Sequence, residues 1–84
     1  MKITTQDLIK AFADVMEIDV SQVSPDKTFQ EQGADSLIGL RFARSMEDML
    51  GEEVDLEWIF DHPTIEKLAT FLSNRQAAVA LDNA

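Results

Sequence analysis

A chain of 84 residues can form one small domain with a single core, but it is too short to wall a substrate cavity on all sides. Sixteen acidic and seven basic residues give a net charge of −9, which repels nucleic acid and anionic membranes and attracts partners with basic patches. Because the chain has no cysteine, no signal-peptide pattern and no apolar run of the roughly 20 residues that span a membrane, we expect a cytoplasmic protein without disulfides or thiolate metal sites.

The first predicted element is an amphipathic helix that begins at Thr4 or Thr5 and ends near Glu17. Asp7 favours its start, because a negative charge is stabilised at the positive end of the helix dipole. One face carries apolar residues at helical spacing, and we expect that face to pack on the core. These residues are Leu8, Ile9, Phe12, Val15 and Met16.

Residues 18–34 form a long connection that is rich in turn-forming residues and has no periodic apolar face. Ser24 before Pro25 could begin a single helical turn. Connections of this length are commonly functional or disordered, but three apolar side chains can each hold this one on the core, so we expect an ordered crossover. The three are Val20, Val23 and Phe29.

A second helix is predicted from Ser36 to about Leu50, with Gly51 as its C-cap. Asp35 suits the N-cap, and Gly33 lets the chain turn into it. The Ser36 hydroxyl is then not needed for capping and can face solvent, although an Asp-Ser pair before an apolar run is often only a helix start. The core face is expected to hold Ile38, Gly39, Phe42, Ala43, Met46, Met49 and Leu50.

The opposite face of this helix places two leucines among charged side chains, beside the serine. An apolar pair in such surroundings indicates a docking surface. The alternative is that the long connection folds over Leu37 or Leu40 and buries it. The face comprises Ser36, Leu37, Leu40, Arg41, Arg44, Glu47 and Asp48.

The segment from Leu56 to Phe60 is predicted to form a helix of one or two turns that closes the end of the bundle. A strand is the competing interpretation, since Trp, Ile and Phe favour it, but the chain offers no partner strand. Pro63 suits the first turn of a final helix, and residues 76–84 read as a frayed end or linker. The apolar face of this final helix comprises Ile65, Leu68, Ala69, Phe71 and Leu72.

The chain offers almost no catalytic machinery. His62 is its only histidine and precedes a proline, so a packing or turn role is favoured over a catalytic or metal-binding one. Trp58, at helical spacing with its neighbours, reads as a core residue rather than a ligand platform. The sequence therefore predicts a protein with no catalytic residues and no bound metal.

Three stretches carry a resemblance to a known family. The stretch Gly33-Ala34-Asp35-Ser36-Leu37 is similar to the phosphopantetheine attachment motif of acyl carrier proteins. The run from Phe60 to Ala69 resembles the segment that opens the last helix in carrier domains of modular polyketide synthases, and Leu50-Gly51 resembles the end of their second helix. The match covers about residues 5 to 75. It implies an all-α four-helix carrier domain over 1–75, with a flexible tail or linker over 76–84.

The resemblance implies a non-catalytic carrier that works as a monomer. A phosphopantetheinyl transferase, using coenzyme A and magnesium, would attach a 4′-phosphopantetheine arm to Ser36, with Asp35 assisting as well as capping. The arm would hold acyl or polyketide intermediates as thioesters and present them to a ketosynthase, an acyltransferase and other synthase enzymes. By position, the family's docking role falls to Leu37, Leu40, Arg41 and Arg44 on the second helix.

Departures from the family pattern leave alternatives open. Arg41 and Arg44 make the second helix mixed in sign, which favours polyketide carriers over fatty-acid carriers. Phe42 stands where carriers for β-branching bear tryptophan, so that specialisation is not expected. A peptidyl carrier is the nearer rival, disfavoured by Ala34 where a second glycine is usual, and an unmodified acidic interaction module is the farther one. Both a discrete carrier and a piece of a megasynthase fit the sequence.

Overall fold

The computed structural model describes residues 3–82, and for residues 76–82 it describes the backbone alone. Within that part of the chain the fold is all-α, as predicted, with a short third helix and a long first connection. An isolated bridge between Thr28 and Thr64 is its only strand-like pairing, so the strand interpretation of residues 56–60 is wrong. The elements are α1 (Thr5–Met16), a single 3₁₀ turn (Val20–Gln22), α2 (Ser36–Leu50), α3 (Leu56–Asp61) and α4 (Ile65–Asp82).

Reciprocal hydrogen bonds fix the start of α1, as the sequence predicts. The backbone N–H of Asp7 donates to Thr4 Oγ1 at 3.1 Å, and the backbone N–H of Thr4 donates to Asp7 Oδ2 at 2.9 Å. Glu17 ends the helix in the left-handed region, at φ 58°. Leu8 and Phe12 are fully buried on the predicted core face.

Three phenylalanine rings form the centre of the core. Phe12 of α1, Phe29 of the long connection and Phe42 of α2 contact one another, with ring centroids 5.1 to 5.4 Å apart. The rings meet at tilted or edge-to-face angles, which the charge distribution of aromatic rings favours. The long connection is therefore part of the core, and the prediction of an ordered crossover is confirmed.

Two details of the connection differ from the predictions. Its single helical turn lies at Val20–Gln22 rather than at Ser24, because Asp19 caps that turn by accepting a hydrogen bond from the Ser21 N–H at 3.0 Å. Val20 is 51% exposed, so its predicted role in holding the connection on the core is wrong. Val23 and Phe29 are buried and fill that role.

The start of the final helix also differs from the prediction. Pro63 lies before α4 rather than in its first turn, and the Thr64 hydroxyl accepts from the backbone N–H of Lys67 at 3.1 Å in the manner of an N-cap. The backbone of α4 is helical through Asp82. The flexibility of the tail over residues 76–84 stays a prediction, and residues 83 and 84 lie outside the described part of the chain.

Replacing Phe29 by alanine tests whether the connection belongs to the core. Because Phe29 is 95% buried against two other rings, we expect Phe29→Ala to lower the free energy of unfolding by about 3 kcal/mol. Phe60→Ala removes the same atoms from a ring that is 63% exposed and serves as the control. Chemical denaturation followed by circular dichroism measures both, and equal losses in the two variants would contradict the role of Phe29.

Candidate functional site

A tight turn delivers the chain to the start of α2. The backbone N–H of Gly33 donates to the Gln30 carbonyl at 3.0 Å, and that of Ala34 donates to the Phe29 carbonyl at 2.9 Å. Gly33 adopts φ +97°, a region that side chains rarely tolerate, so a glycine is required at this point. The turn leads directly into Asp35 and Ser36.

Asp35 caps α2, as predicted. Its Oδ1 accepts a hydrogen bond from the backbone N–H of Ile38 at 2.9 Å, and its carbonyl accepts from Gly39 at 2.9 Å. Ser36 is therefore the first helical residue and is exposed. Within residues 3–82 no hydrogen bond engages its Oγ, so the hydroxyl faces solvent from a rigid backbone.

The Gln32 side chain holds the connection together from within. Its Oε1 accepts from the backbone N–H of Ser24 at 2.8 Å, and its Nε2 donates to the carbonyls of Ser24 at 2.8 Å and Lys27 at 3.1 Å. Each bond satisfies a backbone group that no helix or strand would pair. This role of Gln32 was not predicted, because the partners of its side chain lie four to eight positions away and form no recognised local pattern.

Thr28 and Glu31 form a second set of hydrogen bonds in the connection. The Thr28 N–H donates to Glu31 Oε1 at 2.9 Å, and the Glu31 N–H donates to Thr28 Oγ1 at 3.0 Å. Hydrogen bonding of the Glu31 carboxylate by the Thr28 backbone first, and then by the Thr28 side chain, holds the pKa of the Glu31 carboxyl below its usual 4.5. The Thr28–Glu31 pair was not predicted either, although Thr-x-x-Glu is the sequence pattern of a capping box.

The connection is also tied to the start of α4. The backbone N–H of Phe29 donates to the Pro63 carbonyl at 2.8 Å, and the backbone N–H of Glu66 donates to the Pro25 carbonyl at 3.1 Å. The turn before Ser36 is thus hydrogen-bonded to one helix junction while Phe29 packs in the core. The Ser36 backbone is consequently positioned by tertiary contacts as well as by its own cap.

An open groove of about 620 Å³ lies beside Ser36. Its lining includes Phe12, Phe29 and Phe42 of the core together with Ile59 and Phe60 of α3. Phe60 is 63% exposed, whereas the sequence analysis treated it as part of a cluster that closes the bundle. The exposure was not predictable from spacing, because it depends on how the short α3 is rotated against α2.

The predicted docking residues lie exposed on α2. Leu37 is 55% exposed and Leu40 is 41% exposed, so the alternative that the long connection buries one of them is wrong. Arg41 and Arg44 are exposed on the same face. The structure brings these four side chains together near Ser36, and their role in docking stays a prediction.

The remaining chemistry-bearing residues have packing roles. His62 stacks on Phe71 with ring centroids 4.3 Å apart, in agreement with its predicted packing role. Trp58 is half-buried, and its ring centroid lies 5.1 Å from that of Phe71. The Arg75 guanidinium carbon lies over the indole, 4.8 Å from its ring centroid. Among residues 3–82, no three histidine or carboxylate side chains are grouped to hold a metal ion. In the same part of the chain, no helix is long and apolar enough to cross a bilayer.

Comparison with known sequences places these features in a family. Residues 6–72 match the family described as "Phosphopantetheine attachment site". The chain is 31% identical over 80 residues to a phenolphthiocerol/phthiocerol polyketide synthase of Mycobacterium tuberculosis, covering 93% of this chain and 4% of that protein. It is 32% identical over 72 residues to polyketide synthase PksL of Bacillus subtilis, covering 86% of this chain and 2% of that protein. The chain thus spans a few per cent of the length of these relatives.

Solved structures support the same fold. A free-standing peptidyl carrier protein from Acinetobacter baumannii superposes with a TM-score of 0.80 at 26% identity, covering 86% of this chain and 90% of that one. BlmI, a type-II acyl-carrier-protein from Streptomyces verticillus, gives a TM-score of 0.79 at 15% identity, covering 86% of this chain and 84% of that one. At that identity the second likeness concerns the fold alone.

The lowered pKa of Glu31 predicts a pH dependence of stability. A carboxyl whose pKa is lower in the folded state stabilises that state above its usual pKa of 4.5, and the contribution is lost as the pH falls through the folded value. We therefore expect the free energy of unfolding to fall more steeply in the wild type than in Glu31→Gln between about pH 6 and about pH 3.

Denaturant titrations at each pH measure this difference. Glu53→Gln, which removes an exposed carboxylate outside the Thr28–Glu31 pair, is the control and should follow the wild type. Parallel curves for the wild type and Glu31→Gln would contradict a stabilising role for the Glu31 carboxylate.

Proposed function

This chain belongs to the phosphopantetheine attachment site family, and we propose that it is an acyl carrier protein of polyketide synthase type. On this proposal Ser36 holds a 4′-phosphopantetheine arm derived from coenzyme A. The observation that carries it is the Ser36 hydroxyl itself, which is exposed and free of hydrogen bonds within the described residues, at the capped end of a rigid helix. A hydroxyl in that state is available to a modifying enzyme.

The local geometry suits a phosphodiester at this position. Asp35 satisfies the Ile38 N–H, so the cap does not consume the neighbouring hydroxyl. The first turn of α2 presents the positive end of the helix dipole, which favours a negatively charged phosphate on its first residue. Asp35 therefore fixes the backbone position from which Ser36 presents its side chain, and we propose that Asp35 also assists the transferase.

The chain acts as a carrier rather than as a catalyst on this proposal. The arm supplies a thiol on which acyl or polyketide intermediates are held as thioesters. The chain contains no cysteine, so none of its own side chains competes as a thiol for acyl groups. Its task is to hold Ser36 outward from a stable bundle and to present a surface that synthase enzymes can bind.

The partners proposed are a phosphopantetheinyl transferase and then a ketosynthase, an acyltransferase and other synthase enzymes. The similarity of this chain to polyketide synthases supports synthase enzymes as its partners. We assign docking to Leu37, Leu40, Arg41 and Arg44, which are exposed on α2 next to Ser36. We also propose a monomeric, cytoplasmic carrier domain over residues 1–75 with a tail over 76–84, in keeping with a chain that lacks cysteine.

A peptidyl carrier is the second candidate, because the Acinetobacter baumannii structure that superposes on this chain bears that description. It would use the same serine and the same arm but would carry aminoacyl groups. Loading assays separate the two, since an acyl carrier accepts acyl groups from an acyltransferase and a peptidyl carrier accepts amino acids from an adenylating enzyme.

Modification of Ser36 is the first test. Incubation with a promiscuous phosphopantetheinyl transferase, magnesium and coenzyme A is expected to raise the intact mass by one phosphopantetheine group. Ser36→Ala should gain nothing, and Ser45→Ala, which removes a half-buried α2 hydroxyl, should gain the full mass. No gain in the wild type, or an undiminished gain in Ser36→Ala, would refute the proposed attachment site.

The α2 docking residues are the second test. Loss of an apolar contact or reversal of a contacting charge is expected to slow acyl transfer to a partner ketosynthase or acyltransferase about tenfold in Leu40→Asp and Arg44→Glu. Both side chains are exposed, so the helical circular dichroism should not change.

Matched controls for these variants lie on other parts of the surface. Val20→Asp places the same charge on an exposed apolar position of the 3₁₀ turn, and Lys10→Glu reverses an exposed charge of α1. Acyl transfer at the wild-type rate in both α2 variants, or equal losses of that rate in the control variants, would show that this face of α2 is not the docking surface.

A further inference from the structure

The side-chain amide of Gln32 is surrounded by backbone groups of the long connection. Its Oε1 accepts from the Ser24 N–H at 2.8 Å. Its Nε2 lies 2.8 Å from the Ser24 carbonyl oxygen, 3.1 Å from that of Lys27 and 3.4 Å from that of Thr28. An amide nitrogen carries two hydrogens, so three carbonyls share two donors and the donating capacity of the side chain is used in full.

Backbone hydrogen bonds close the same stretch around Gln32. Its own N–H donates to the carbonyls of Thr28 and Phe29, both at 3.2 Å. The Lys27 N–H donates to the Ser24 carbonyl at 3.3 Å. Gln32 is half-buried, so its bonds are partly shielded from water, which strengthens them. The position of residue 32 is thus fixed by its side chain and its main chain together.

Gln32 lies directly before the turn that leads to Ser36. Gly33 comes next, at φ +97°, and glycine has the greatest conformational freedom of all residues. A turn built on glycine keeps its shape through contacts on either side, and these include Gln32 before it and the Asp35 cap after it. Ser36 begins α2, and helix ends fray. Loosening Gln32 would therefore disturb the turn and the cap while the core-packed remainder of α2 stays in place.

Transfer of the arm makes strict demands on the Ser36 oxygen. In that reaction Ser36 Oγ forms a bond to the pantetheine-linked phosphorus of coenzyme A, the bond from that phosphorus to the bridging oxygen breaks, and adenosine 3′,5′-bisphosphate leaves. The hydroxyl proton passes to a base of the transferase. The attacking and leaving oxygens have to lie roughly in line, and a misplacement of about 1 Å can slow such a step about 100-fold. The backbone that carries Ser36 therefore has to be held in place.

Resting on the proposed function, we infer that Gln32 is a positioning residue for transfer of the arm to Ser36. It acts through the backbone of residues 33–35, and its side-chain hydrogen bonds go to residues 24–28 rather than to the exposed face of α2. Removing the amide is therefore expected to slow the transfer step without weakening the binding of the transferase. A residue that only contacts the transferase would show the opposite pattern.

Gln32→Met and Gln32→Glu test this inference in the unmodified protein. Methionine has nearly the shape of glutamine but no amide, so it loses all four side-chain hydrogen bonds. Glutamate keeps an acceptor for the Ser24 N–H but places a carboxylate oxygen against the three carbonyls. With a promiscuous transferase and coenzyme A, we expect kcat to fall about tenfold in both variants, while KM stays within about twofold of the wild type.

Two controls separate positioning from a general loss of stability. Gln6→Met makes the same replacement at an exposed position of α1 and should match the wild type in kcat and in KM. Leu72→Val removes one methylene group from a buried side chain of α4, which lowers the midpoint of chemical denaturation. Assayed below its unfolding transition, Leu72→Val should keep the wild-type kcat.

Amide hydrogen exchange followed by NMR locates the loosened region. In Gln32→Met we expect exchange about tenfold faster at the N–H groups of Gly33, Ala34 and Ile38, which are bonded within the turn and to the Asp35 cap. Protection in the middle of α2 should fall no further than it does in Leu72→Val.

The outcomes distinguish this inference from the proposed function. If the wild type gains no mass, the carrier function fails and the positioning role fails with it. If the wild type is modified and Gln32→Met has the kcat of Gln6→Met, the carrier function stands and the positioning role is overturned. An equal fall of kcat in Leu72→Val, or a defect confined to KM, would also overturn it, because stability or binding would then account for the loss.

Discussion

Phe29 packs against Phe12 and Phe42 and donates its backbone N–H to the Pro63 carbonyl, so one residue ties the long connection to α1, to α2 and to the junction between α3 and α4. The Phe29 carbonyl then accepts from Ala34 in the turn that precedes Ser36. A connection without regular structure would otherwise leave the start of α2 free to vary. The backbone position of Ser36 thus depends on a core contact made seven residues earlier in the chain.

Features that local chemistry determines were predictable from the sequence. The Asp35 cap, the end of α2 at Gly51 and the exposure of Leu37 follow from capping preferences and helical spacing, and the structure confirms them. Features that depend on tertiary contacts were not predictable. The rotation of α3 that exposes Phe60 and the hydrogen bonds of Gln32 across the connection involve partners that no local pattern identifies.

The structure separates a core held by many internal contacts from the exposed surface that we propose partners contact. Buried rings, capping hydrogen bonds and the Gln32 network hold the backbone on both sides of Ser36, whereas the exposed side chains near it make few contacts within the bundle. A carrier has to bind a series of enzymes in turn, so its surface contacts must be weak enough to break. Placing stability in the core and recognition at the surface allows both requirements to be met.

Trp58 is the only tryptophan of the chain, and it lies on α3 between Phe71 and the Arg75 guanidinium, whose other partner is the Glu52 carboxylate. These contacts join α3 to α4 on the side away from the Ser36 groove, whose lining does not include the indole. The indole is therefore a natural optical probe of the α3–α4 junction. Its fluorescence reports whether α3 stays packed against α4 when another protein is added.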